Sequence, residues 1–153
     1  MPKIELTTEY DAPIQVVFDA NRNINLHEFS AMDTNEKAIE GKTSGLIEKE
    51  EWVTWRARHF GFYQELTVKI TRMEAPIYFR DEMKKGIFKR FTHDHYFETI
   101  EGKTKMYEVF DYESPFGILG KLADNLFLKS YMKRFLETRN NKIKAYLKKG
   151  NNI

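Results

Sequence analysis

Apolar and polar residues alternate with a period of two through most of this chain's middle, and with a period near four at its end. Ile4, Leu6 and Thr8 alternate with Lys3, Glu5 and Thr7, which predicts a first strand over Lys3–Tyr10. Asp11-Ala12-Pro13 opens a helix whose apolar side is Ile14, Val17 and Phe18. A second short helix runs from Ile24 to Met32, a short strand covers Glu36–Ile39, and Gly41–Gly45 reads as a loop. Five amphipathic strands follow between Trp52 and Ser114, and Pro115 to Lys149 closes the chain as one long helix. The predicted class is α+β. A curved antiparallel seven-stranded sheet must wrap round the last helix to cover its apolar face, and such a grip tends to leave a cavity between them.

The turns predict a register. A Phe60-Gly61 turn pairs His59 with Phe62, Trp55 with Leu66 and Val53 with Val68, leaving Arg56, Arg58 and Lys69 on the outer face. Ala75-Pro76 pairs Ile70 with Asp81 and Val68 with Met83. Lys84-Lys85-Gly86 reads as a three-residue loop with a left-handed glycine, pairing Asp81 with Lys89 and Phe79 with Phe91. Glu101-Gly102 pairs Phe97 with Met106, His95 with Glu108, His93 with Phe110 and Phe91 with Tyr112. In the last helix, Ser114 is expected as N-cap with Pro115 at the first helical position. Leu119, Ala123, Phe127, Tyr131, Phe135, Ile143 and Leu147, widened by Leu122 and Leu126, form the stripe that the sheet should cover.

Composition narrows the classes. The chain has 153 residues, which fits a single domain over 1–153. Zero cysteines exclude disulfides and thiolate chemistry and fit a reducing, cytoplasmic setting. The start Met1-Pro2-Lys3-Ile4-Glu5 lacks an apolar signal-peptide core, Pro2 excludes N-myristoylation, and no apolar run approaches a membrane span. Against 23 acidic residues, 25 basic ones leave a net charge of +2, too balanced to indicate nucleic acid. Aromatic residues make up 14%, enough to build rigid cavity walls or a solid core. Gly150–Ile153 reads as a loose tail.

The element order, with the stretches Gly41-Lys42-Thr43-Ser44-Gly45-Leu46, Trp55-Arg56-Ala57-Arg58-His59-Phe60-Gly61, His93-Asp94-His95-Tyr96-Phe97 and Ser114-Pro115-Phe116-Gly117-Ile118-Leu119-Gly120, resembles the helix-grip superfamily of START domains, polyketide cyclases and pollen-allergen-like proteins. It looks most like the uncharacterised bacterial branch called SRPBCC or cyclase/dehydrase-like. That resemblance implies a cavity for a small, mostly apolar ligand; enzymes of the superfamily place different residues there, so it carries over no catalytic residue.

Three polar clusters compete for a role. His93 and His95 leave one face of a strand, about 6.5–7 Å apart at the backbone, with Glu108 opposite His95. They read as a self-satisfied buried pair, as a polar ligand anchor, or as a general acid/base in which Glu108 tunes His95 and raises its pKa unless the cavity is dry. A metal reading takes both histidines and Glu108 as a two-His, one-carboxylate set. So short a pattern arises readily by chance, and the expectation is no metal and no cofactor. His59 groups with Asp81 and Lys89, apart from the first cluster, and Asp81 with Lys89 reads as a structural ion pair near the mouth. Arg56 and Arg58, with Lys69 and Arg80, read as a solvated charged face or a basic patch for an anionic partner. His27 reads as a satisfied boundary histidine or a lining residue of the cavity. The expected function is binding of a small hydrophobic or amphipathic molecule by Trp55, Phe79, Phe91, His93, His95, Phe97, Glu108, Phe110 and Tyr112. The alternatives are a cyclase or dehydratase using His95 with Glu108, and an interaction module with a collapsed cavity.

Overall fold

The computed structural model describes residues 2–150; of the expected tail, Asn151–Ile153 lie outside them. The elements are β1 (Lys3–Tyr10), α1 (Ile14–Asn21), α2 (Ile24–Ser30), β2 (Lys37–Gly41), β3 (Trp52–His59), β4 (Phe62–Glu74), β5 (Tyr78–Lys85), β6 (Arg90–Ile100), β7 (Lys103–Glu113), α3 (Gly117–Ala123) and α4 (Lys129–Lys148). A short 3-10 turn at Met32–Thr34 follows α2, and a π-helical turn at Asp124–Leu128 joins α3 to α4. The sheet is antiparallel in the order β1-β7-β6-β5-β4-β3-β2. This is the predicted order of elements, with the terminal helix divided.

Two hairpins form as the sequence dictates. Phe60-Gly61 and Glu101-Gly102 both take left-handed backbone at their two central positions, the geometry that matches the twist of paired strands. The predicted pairs across both turns are present, including Trp55 with Leu66, His95 with Glu108 and Phe91 with Tyr112. At α2, the Asn23 side chain accepts the Leu26 N–H and caps the helix.

The β5–β6 connection differs from expectation. Gly86 is not left-handed, and β5 pairs with β4 as far as Lys85 before residues 86–89 cross to β6. Asp81 consequently faces His93, and Phe79 faces His95. Lys89 instead forms an ion pair with Glu113 at 2.9 Å. Two contacts account for the longer loop. Phe88 folds inward against Phe91, Phe110 and Tyr112, with ring centroids 6.0, 6.3 and 5.3 Å away. Gly86 passes so close to Leu66 that a Cβ would stand 2.6 Å from its Cδ1.

The C-terminal segment also departs from expectation. Ser114 does not cap a helix; its hydroxyl donates to Asp124, as does the Tyr112 hydroxyl at 3.1 Å. Phe116, in left-handed backbone, precedes α3 without a side-chain cap. Gly120 lies against the Pro115 carbonyl, where a Cβ would be 2.1 Å away, so only glycine permits this approach. The apolar stripe is covered only along α4, where Leu136, Ile143 and Leu147 are buried. Leu119, Leu122, Leu126 and Phe127 are exposed, because the sheet grips α4 and not α3. No helix among the described residues is long and apolar enough to cross a membrane.

Candidate functional site

The concave face of the sheet, α2 and α4 enclose a cavity of about 260 Å³. Of the nine predicted ligand contacts, Trp55, Phe79, Phe91, His93, His95 and Phe110 line it. Phe97, Glu108 and Tyr112 do not. Phe97 packs on Phe18 at 5.4 Å and on Phe79 at 6.0 Å, within the core beside α1. Tyr112 is fully buried with its hydroxyl on Asp124, and Glu108, on the same concave face, is fully buried between His93 and Asn140 of α4.

One end of the cavity is polar, and the adjacent strands β5 and β6 line it with β7 beside them. Asp81 on β5 and His93 and His95 on β6 all point inward from paired positions. The rings of His93 and His95 have centroids 4.0 Å apart, and His95 stacks on Phe79 at 4.2 Å. The expected hydrogen bond between His95 and Glu108 is not made. Glu108 Oε1 lies 2.8 Å from His93 Nε2 instead, and Glu108 Oε2 accepts from the Asn140 amide of α4. Arg139 Nη2 stands 3.7 Å from Glu108 Oε1. Glu108 is thus held from three sides, as a fully buried carboxylate must be.

His95 is left over. It is 1% exposed, and neither ring nitrogen has a hydrogen-bond partner of ordinary geometry. Its Nδ1 is 3.8 Å from Asp81 Oδ2, and His93 Nδ1 is 4.0 Å from the same oxygen. These distances are too long for hydrogen bonds. Arg139 Nε is likewise buried without a partner.

The electrostatics follow from burial. Desolvation holds His95 well below the ordinary imidazole value, and the neighbouring His93 adds to this. The expected upward shift from a carboxylate partner is therefore reversed. Desolvation, then the Arg139 charge, push His93 down in the same way. Burial raises the Asp81 carboxyl to about 7 against the opposing pull of Arg139. At neutral pH the site thus holds two neutral imidazoles beside a carboxyl group that keeps its proton more readily than an ordinary aspartate.

The remaining two histidines both have partners. His27 Nε2 bonds Glu36 at 2.7 Å and its ring stacks on Trp55 at 4.2 Å. His59 Nδ1 meets the Tyr131 hydroxyl at 2.6 Å. Of the outward basic residues, Arg80 is clamped to Asp94, Arg56 lies over Tyr63 and Lys69 pairs with Glu50. Sequence reasoning missed Arg139 and Asn140. The signal was present, since the every-fourth-residue series of Phe135, Ile143 and Leu147 passes through Arg139, where a charge on the buried stripe needs a partner.

No family model and no curated protein matches the chain. Solved structures do match over nearly its full length. A START superfamily protein from Mycobacterium smegmatis aligns with a TM-score of 0.75 at 9% identity, covering 97% of this chain and 99% of that one. Major latex-like protein 151 from Panax ginseng aligns at 0.70 with 14% identity, covering 95% and 96%. Ara h 8.0201 aligns at 0.66 with 13% identity, covering 95% and 96%. With seven antiparallel strands curved round a C-terminal helix, the chain has the same helix-grip fold as these proteins.

Proposed function

We propose that this protein binds a small hydrophobic or amphipathic molecule in the cavity between the sheet and α4. The observation that carries this reading is the pairing of an aromatic wall with one polar end holding unpartnered groups. Trp55, Phe79, Phe91 and Phe110 meet the apolar body of the guest. His95, flanked by His93 and Asp81, orients its polar end. Phe97, Glu108 and Tyr112 act from beside the cavity, by fixing the residues that line it. A volume of about 260 Å³ suits a small guest and argues against a collapsed interaction module. The cysteine-free chain suits action in the cytoplasm.

The test uses Trp55 as reporter in a Trp52→Phe background, since Trp52 is exposed and Trp55 lines the cavity. Titration with an anilinonaphthalene dye should saturate, alter Trp55 emission and be reversed by a medium-chain fatty acid. Non-saturating uptake with unchanged Trp55 emission rejects the reading.

A cyclase- or dehydratase-type enzyme is the second reading. The close approach of Asp81 to His95 favours it, and it now rests on those two residues because Glu108 is engaged by His93. Once a ligand is known, Asp81→Asn separates the two: turnover lost with binding intact supports the enzyme, and no turnover in either form supports the carrier.

A further inference from the structure

His93, His95 and Asp81 bring three potential donor atoms of a metal site to one point. Their ligand atoms all lie within 4.8 Å of one another. Asp81 Oδ2 faces both imidazole Nδ1 atoms at 3.8 and 4.0 Å, beyond hydrogen-bond reach, and no other group of the described residues satisfies the His95 nitrogens. The buried His95 nitrogens, left without a hydrogen bond, cost free energy unless a partner meets them.

The tautomer of His93 strengthens the case. Its Nε2 lies 2.8 Å from Glu108 Oε1, so Nε2 carries the proton and Nδ1 presents its lone pair to Asp81. A carboxylate behind an imidazole, fixing its ring and tautomer, is the usual outer partner of a metal-bound histidine. The amide of Asn140 holds Glu108 in turn, and Arg139 stands close enough to balance its charge. Asp81 is left as the carboxylate available to a cation.

We propose that Asp81, His93 and His95 form a binding site for a first-row divalent metal ion of the zinc or iron(II) kind. Two imidazoles and one carboxylate match the donor preference of those ions and not the all-oxygen preference of magnesium or calcium. A tetrahedral ion with bonds of about 2.1 Å sets its donors about 3.4 Å apart. The side chains therefore close in by roughly half an ångström at the two shorter separations, and further for the widest pair. All three donors line the cavity, so the vacant coordination position opens toward a guest. The set differs from the sequence-based one, in which Glu108 was the carboxylate; the β5–β6 register puts Asp81 there. Metal binding is independent of whether the cavity takes an apolar guest.

The test is cobalt(II) titration of chelator-treated protein, followed by the visible absorption of the ion. One equivalent should bind and give the intense bands of a low-coordinate site, and zinc should displace it. Asp81→Asn and His95→Gln should each weaken binding at least tenfold while far-UV circular dichroism stays unchanged. Glu108→Gln should weaken it about 10–100-fold by releasing His93. Should a variant fail to fold, paramagnetic perturbation of the His93 and His95 ring signals in the wild type decides the matter. Absence of binding, binding unaffected by both ligand variants, or unperturbed rings overturns the proposal. Dye uptake by the metal-free protein is read separately, so that loss of the metal site leaves the ligand reading standing.

Discussion

Glu108 sits directly across the β6–β7 ladder from His95, yet its carboxylate bonds His93, two residues along the strand. The diagonal choice gives Glu108 three partners and gives His95 none. Glu108→Ala strips His93, Asn140 and Arg139 of their acceptor and leaves a guanidinium buried without a carboxylate. Such a break costs about 3–5 kcal/mol. Denaturant unfolding of the variant measures it, and a loss below about 1 kcal/mol, the worth of an ordinary hydrogen bond, contradicts this account.

Phe91 and Phe97 separate wall from core. Both are buried, but only Phe91 lines the cavity, whereas Phe97 is enclosed by Phe18 and Phe79. Truncation to alanine should destabilise either one by about 3–5 kcal/mol. Phe91→Ala should also increase uptake of bulky apolar dyes, and Phe97→Ala should leave it unchanged. Equal uptake in the two variants overturns the assignment.

The two halves of the C-terminal segment should respond oppositely to substitution. Leu122→Gln, at a position 54% exposed, should shift stability by no more than about 0.5 kcal/mol. Leu136→Ala, at a position 3% exposed, should cost about 2–5 kcal/mol. Thermal or denaturant unfolding of the pair checks this, and a large loss at Leu122 would mean that α3 is covered after all.

Acid should act in part through Asp94. Burial alone would raise this carboxyl, but bonds from Arg80 and the Tyr78 hydroxyl hold it below its ordinary value of 3.8. A depressed carboxyl contributes stability that is fully present above its unfolded pKa and is lost as pH falls through the folded one. Asp94→Asn should therefore flatten the fall in melting temperature below about pH 4. Parallel curves for wild type and variant would remove the Arg80–Asp94 pair from the acid response.

The hairpin registers were legible because two-residue turns ending in glycine admit one pairing, and any one-residue slip would put charges on the inward face. The β5–β6 register was not legible, for a physical reason. A displacement of four residues keeps the inside–outside alternation intact, so Asp81 faces inward whether it meets Lys89 or His93. What selects His93 is the burial of Phe88 in the loop, which depends on three aromatic rings from two other strands. The helix stripe misled for a related reason. Periodicity marks which side of a helix is apolar, but not whether anything lies opposite, and Leu119 and Leu126 have no cover among the described residues.

The polar end of the cavity stands on inward positions of three neighbouring strands, each pinned by its own ladder. Residues 81, 93 and 95 can therefore be exchanged one at a time with no change in turn length or strand order, whereas Glu108 also ties the sheet to α4. The wall behaves like a pegboard: the holes are fixed by the backbone and the pegs are free to vary. A scaffold of this kind can keep its shape while its chemistry drifts, which fits a fold shared across 97% of the chain with a protein that has 9% of its residues in common.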